Sequence, residues 1–350
     1  MPTSYPTSFR MRSILLTFHL LIAAPWPAVA QIEQSQIEPT EAEPAVEAAE
    51  PAIEEVVVSG EQPGPELWKV SKGDHVLWIL GTLTPLPEKM TWRSRHVEQV
   101  IASSQEVITT TSVEADIGFF KGLTLLPSVV GARNSPEGAT LQEVLPADLY
   151  ARWLALKARY IGRDSGIEKW RPIFAAQELY SKALKKSNLT YSSGVWPVVK
   201  KIAKQNDVKI TTPQILVEID KPRAAIKEFK KSSLDDLDCF AKTLTRLETD
   251  LEAMRSRANA WAVGDLDALR KLPPPDQRGA CWNAIMNSQV VQQRGYHDMP
   301  ERVARAWMQS AEAALANNRS TFAMLSIGEM LRPDGYIARF QAKGYVVEAP

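Results

Sequence analysis

The sequence predicts an α/β (α+β) domain: a mixed central β-sheet built from its N- and C-terminal segments, with a large helical insert over about residues 146–290. Three observations carry this. Two β-rich runs, Leu67–Val70 and Val76–Gly81, flank a Lys72-Gly73-Asp74 turn and read as a hairpin. The middle of the chain repeats apolar residues at three- and four-residue steps. Its last fifty residues read helix, strand, helix, strand. Strands at both ends around a helical middle imply that the two termini make one sheet.

Taken in order, Arg93–Ser104 places Val97, Val100 and Ile101 on one helical face, and Glu106–Thr111 returns to strand character. Phe119–Val130 is a continuous apolar stretch, expected as a buried helix or a cap over a cleft. Pro146–Tyr160 repeats Leu149, Trp153, Leu156 and Tyr160; Pro172–Leu184 and Trp196–Gln205 behave similarly, and Val208–Thr212 suits a short strand. Leu234–Ala262 is the longest helical pattern, with Leu237, Leu244, Leu247, Leu251 and Met254 on one face. Asp265 is placed to cap a short helix that Pro273-Pro274-Pro275 ends. A helix Pro300–Ala316, a strand Thr321–Leu325, a helix Asp334–Ala342 stopped by Gly344, and a strand Tyr345–Glu348 complete the domain.

Ahead of it, Arg10 and Arg12 precede an apolar run, Ile14–Ala24, and the small-x-small triplet Ala28-Val29-Ala30. This is the pattern of a cleavable signal peptide over residues 1–30. The run is too short for a bilayer, which takes roughly 20 apolar residues, so no transmembrane segment is expected in the mature chain and its location is expected to be periplasmic or secreted. Residues 31–65 hold nine Glu and neither Lys nor Arg. Such a segment repels itself and lacks the aromatic surface to offset its ordering entropy, so a disordered acidic linker is expected. Without the leader and linker, residues 66–350 carry 39 basic against 32 acidic side chains. That excess is dispersed; it suits solubility and does not call for nucleic acid. Cys239 and Cys281 are the only cysteines, and in an oxidising compartment the pair is expected as one structural disulfide.

Catalytic constellations are thin. Beyond the leader only His75, His96 and His297 remain, none at HExxH or HxxH spacing, which disfavours a histidine metal site. There is no Gly-x-Ser-x-Gly, no phosphate-cradling loop and no dinucleotide fingerprint. No cofactor is expected.

The run Leu67-Trp68-Lys69-Val70 with Leu77-Trp78-Ile79-Leu80-Gly81-Thr82-Leu83-Thr84 resembles the opening of the TraB/GumN family, related to the Tiki-type metalloproteases. So do Trp261–Leu269 with Gly264-Asp265-Leu266, Glu301-Arg302 with Trp307, Thr321–Leu325, Asp334-Gly335 and Gly344-Tyr345-x-Val347. Together they span nearly all of residues 66–350. The resemblance implies a metal held by two histidines and a glutamate, and here the chain departs from it. Thr84 stands where the first histidine belongs, Thr110 near the glutamate, and Glu329, in Ser326-Ile327-Gly328-Glu329, where the second histidine belongs. Two further carboxylate positions read Gly194-Val195-Trp196 and Thr211-Thr212-Pro213. Of the family's polar set Arg302 survives, beside Val303 where an Asn is usual.

A threonine hydroxyl is a weak, neutral ligand that cannot replace an imidazole or carboxylate. The first reading is therefore a metal-free pseudoenzyme that binds an unidentified small molecule or envelope protein over Thr84, Thr110, Arg302 and Glu329. A second is a divergent hydrolase with Glu329 as general base in a desolvated cleft and Arg302 stabilising negative charge. A structural Glu329–Arg302 ion pair is a bland alternative to both. A third reading is an envelope scaffold that makes contact through the acidic linker or the basic surface.

Overall fold

Alternation along the strands and the hairpin turn organise one mixed sheet. The computed structural model describes residues 65–350 except 91, 93–94, 117–124, 126, 192–193, 220 and 272–276. The expected leader, the acidic segment to residue 64, most of Phe119–Val130 and Pro273–Pro275 lie outside the described residues. Of the apolar stretch after residue 118, Leu125 is buried whereas Val129 and Val130 are exposed, so its end faces solvent and not a core.

The strands are β1 (Leu67–Lys72), β2 (His75–Thr82), β3 (Leu86–Pro87), β4 (Glu106–Ile108), β5 (Ser112–Asp116), β6 (Leu189–Thr190), β7 (Lys209–Thr211), β8 (Gln214–Glu218), β9 (Ser320–Ser326) and β10 (Val346–Glu348). The main sheet has the order β10-β1-β2-β9-β4-β7. β10, β1 and β2 pair antiparallel, while β2, β9, β4 and β7 run parallel. Lys72 pairs with His75 across a two-residue turn, and Gly73 takes φ +61° at its first central position, where glycine carries no Cβ penalty.

Helices cover both faces. They are α1 (Arg95–Ser103), α2 (Leu141–Val144), α3 (Ala147–Tyr160), α4 (Pro172–Lys186), α5 (Val195–Gln205), α6 (Pro222–Lys231), α7 (Leu237–Thr249), α8 (Leu251–Ala262), α9 (Leu266–Lys271), α10 (Gln277–Met286), α11 (Gln289–Gln293), α12 (Met299–Asn317), α13 (Ile327–Met330) and α14 (Tyr336–Ala342). None is long and apolar enough to cross a membrane. Leu80, Phe322 and Met324 point to one face, against α1, α5 and the end of α8. Leu77, Ile79, Ala323 and Leu325 point to the other, against Trp307, Met308 and Ala311 of α12 and Phe340 of α14. This is the period-two alternation of strands buried on both sides.

The insert has its own core of Trp153, Leu179, Tyr180, Phe240 and Leu244. Two features depart from the expected helical middle. β7 comes from within residues 146–290 and forms the outer parallel strand of the main sheet, so the sheet is not made by the termini alone. The apolar pattern of Leu234–Ala262 also reads straight through a break at Asp250, which ends α7 and starts α8 with φ −116° and ψ 0°. Asp250 is held there by both Arg257 guanidinium nitrogens at 2.9 Å, with Arg246 at 3.4 Å. The cap at Asp265 is as expected: its Oδ1 accepts the Ala268 N–H at 2.8 Å. Cys239 and Cys281 are disulfide-bonded and tie α7 to α10.

Glu106, buried at the start of β4, pins three elements. It accepts from the Thr211 hydroxyl of β7 and from Asn318 Nδ2 at 2.9 Å, and pairs with Lys209 at 2.9 Å. Burial alone would raise its carboxyl pKa; those partners outweigh it and hold the group below its ordinary value. A depressed folded-state pKa contributes stability that is present above the unfolded value and lost as pH falls through the folded one. Glu106→Gln is therefore expected to lower stability at neutral pH and to flatten the acid limb of the stability curve below about pH 5, checked by urea unfolding across pH.

Candidate functional site

Parallel strands end on a common edge, and the chain leaves neighbouring strands in opposite directions there. From β9 it runs through α13 and α14 to β10 on one side of the sheet; from β4 it runs to β7 on the other. Such a switch point is where open α/β sheets bind ligands. Thr84 lies two residues beyond β2, Thr110 two beyond β4, and Glu329 in the short helix directly after β9. Because β2, β9 and β4 are adjacent, with Thr82 opposite Ser326 and Ile108 opposite Ala323, the fold gathers these three predicted residues on one edge.

Arg302 reaches the same region by a different route. On α12, the Trp307 Nε1–H donates to the Thr109 carbonyl at 3.0 Å, and the Val303 carbonyl accepts from the Thr111 hydroxyl at 3.1 Å. The loop holding Thr110 is thus fastened to the helix at the residue next to Arg302. Arg302 is half-buried as a residue, and among the described residues its guanidinium has no hydrogen-bond or ion-pair partner.

Glu329 is not paired with Arg302. Its side chain is 52% exposed and meets Arg332 at 3.3 Å; Arg332 also binds Asp334 at 2.8 and 3.1 Å. The acid beside Arg302, Glu301, is engaged by Arg339 through two bonds of 2.8 and 3.0 Å. The desolvated carboxylate that the general-base reading requires is absent at Glu329: it stands in solvent against a cation. The loop that carries it is closely packed at Gly335, where a methyl would fall within 3.0 Å of the carbonyl oxygens of Glu329, Met330 and Arg332.

The donors at this edge do not fit a divalent metal. Thr84 Oγ1 accepts from Arg278 Nη2 at 3.1 Å, placing a guanidinium against the first ligand position that the resemblance implies. Thr109 donates to Thr212 at 2.8 Å, so hydroxyls satisfy one another where carboxylates are expected. Thr211 is committed to Glu106, and Trp196 lies against Lys200, 6.0 Å from its ring centre. Among the described residues no group of three His, Cys, Asp or Glu is arranged to hold a metal. His75 is fastened elsewhere, with Nδ1 2.8 Å from the Leu315 carbonyl.

Sequence reasoning missed the insert's contribution to this edge. Arg278 and Gln277 open α10, and Gln277 Oε1 accepts from Arg246 Nη1 of α7 at 3.0 Å. Arg246 lies 5.2 Å over the Tyr180 ring, which is 5.5 Å from that of Tyr191. These side chains come from four separate elements or loops and share no motif. Only a buried arginine on an otherwise apolar face hints at them, and α7 carries one at Arg246. The small parallel pair β5–β8 was also missed; its Ile215 and Val217 pack on Met299, Val303 and Ala306 of α12 and so support the helix that presents Arg302.

Over residues 66–349 the chain matches the model of the TraB/PrgY/gumN family. No curated protein and no solved structure matches it.

Proposed function

Given that the chain belongs to the TraB/PrgY/gumN family, we propose that it is an exported, metal-free member of that family which acts by binding. In this reading residues 1–30 are removed on export, residues 31–65 form a flexible acidic tether, and the domain at 66–350 works in the periplasm or outside the cell. The Cys239–Cys281 disulfide supports an oxidising compartment. The ligand, a small molecule or an envelope protein, sits against the strand ends over Thr84, Thr110, Arg302 and Glu329.

The observation that carries this reading is the pairing of Thr84 with Arg278. A cation held at the position of a lost metal ligand opposes a second cation there, and neutral hydroxyls cannot compensate. Reconstruction tests the assignment of the three positions. The variant Thr84→His/Thr110→Glu/Glu329→His, made together with Arg278→Gln to remove the opposing charge, is expected to bind Co²⁺ and to show the visible absorption of a low-symmetry site. If the rebuilt protein folds and takes up no Co²⁺, the strand-end positions are not the family's ligand positions.

A further inference from the structure

Among the described residues the insert places Arg278 against Thr84, with Arg246, Tyr180 and Tyr191 joined to it through Gln277. Arg246 is 93% buried, yet the acid it meets among the described residues, Asp250, is already held bidentately by Arg257. Arg246 Nε reaches Asp250 only at 3.4 Å and is left without a hydrogen bond. Arg278 adds a third cation; its hydrogen bond among the described residues goes to the neutral Thr84 hydroxyl. Neighbouring glutamates are committed elsewhere, Glu248 to Arg152 and Glu252 to Arg255. Among the described residues Arg246 and Arg257 therefore converge on the Asp250 carboxylate, while Arg278 meets a neutral hydroxyl. A buried, incompletely paired guanidinium is costly unless an anion completes its shell.

The phenols fit the same role. Tyr180 is buried and Tyr191 half exposed beside it; both feel Arg246 and Arg278, and burial pushes both hydroxyl pKa values up. They remain neutral O–H groups, able to donate to an anion as well as to each other. The Arg246 guanidinium spans the Tyr180 ring and Gln277, which fixes its plane for fork-like recognition.

We propose that Arg246 and Arg278, with Tyr180, Tyr191 and Thr84, form a subsite for an oxyanion, the carboxylate or phosphate end of the bound ligand. The inference rests on the ligand-binding reading above and gives its site a sign: where the family resemblance implies a cation, this chain is built to hold an anion.

Thermal melts and calorimetry of the full chain, with inorganic phosphate and with acetate against sodium chloride at matched ionic strength, test it. Saturable binding of either anion is expected, the tighter of the two naming the carboxylate or phosphate class. Because Arg278 is exposed, Arg278→Gln should fold as the parent does and bind about tenfold more weakly, the loss of one charge-assisted hydrogen-bonding group. Tyr191→Phe should weaken binding by a smaller factor without changing the ionic-strength dependence. Absence of saturable binding by both anions, or equal affinity in Arg278→Gln, overturns the subsite. A Zn²⁺ titration of the same samples separates the two ideas: metal uptake by the parent defeats the metal-free reading, whereas failure of anion binding without metal uptake defeats only the subsite.

Discussion

Replacing Trp261 with alanine is expected to lower the unfolding free energy by about 3–5 kcal/mol, the range for truncating a large buried aromatic. Trp261 is 1% exposed, packs at 5.9 Å on Trp92, and donates its Nε1–H to the Gly81 carbonyl at 2.5 Å. Two costs combine in the alanine variant: a cavity among Leu80, Leu86, Val100 and Phe322, and an unpaired carbonyl at the end of β2. Trp261→Phe separates them, since it keeps most of the volume and orphans only the carbonyl, at about 1–3 kcal/mol. Urea unfolding with unchanged slope reads both. A phenylalanine variant as unstable as the alanine one would assign the effect to the hydrogen bond and not to packing. The consequence reaches the site, because α8 joins the core of the insert at Met254 to the sheet at Ala258 and Trp261, and Gly81 lies three residues before Thr84.

The second large effect is expected from the disulfide. Cys239 and Cys281 are 42 residues apart, and cross-linking a loop of that size removes unfolded-state entropy equivalent to about 4 kcal/mol. Cys239→Ala/Cys281→Ala should lose about 2–5 kcal/mol, and reductant should destabilise the parent but leave the double variant unchanged. Since α10 carries Gln277 and Arg278 in its first turn, the double variant should also bind oxyanions more weakly. Equal stability of oxidised parent and double variant would show that the packing of Cys239 on Ile173, Ala280 and Ala284 suffices to hold α10.

Elements with a strong local period were legible. The hairpin, α1, α3, α4, α5, α12, β9 and the closing helix and strand follow from alternation or from three- and four-residue spacing, because each buries one regular face. The break between α7 and α8 was not legible: Leu247, Leu251 and Met254 keep the apolar stripe continuous, and the break depends on Arg246 and Arg257 converging on Asp250, a contact within the fold. β7 was readable as a strand, but its place beside β4 was not, since parallel pairing across a hundred residues leaves no local pattern. The strand-end positions of Thr84, Thr110 and Glu329 followed from the family resemblance, and their physical setting did not. The engagement of Glu329 by Arg332, and of Thr84 by Arg278, arises from residues three and 194 positions away.

In the proposed function the strand ends hold no metal and carry positive charge. Calorimetric titration of the full chain with Zn²⁺, Mn²⁺ and Co²⁺, alongside metal analysis of the protein as purified, tests it most directly. No stoichiometric metal and no saturable heat up to millimolar concentration are expected. One bound metal per chain, or a dissociation constant of about micromolar or tighter, would contradict it and restore a metal centre to the strand ends.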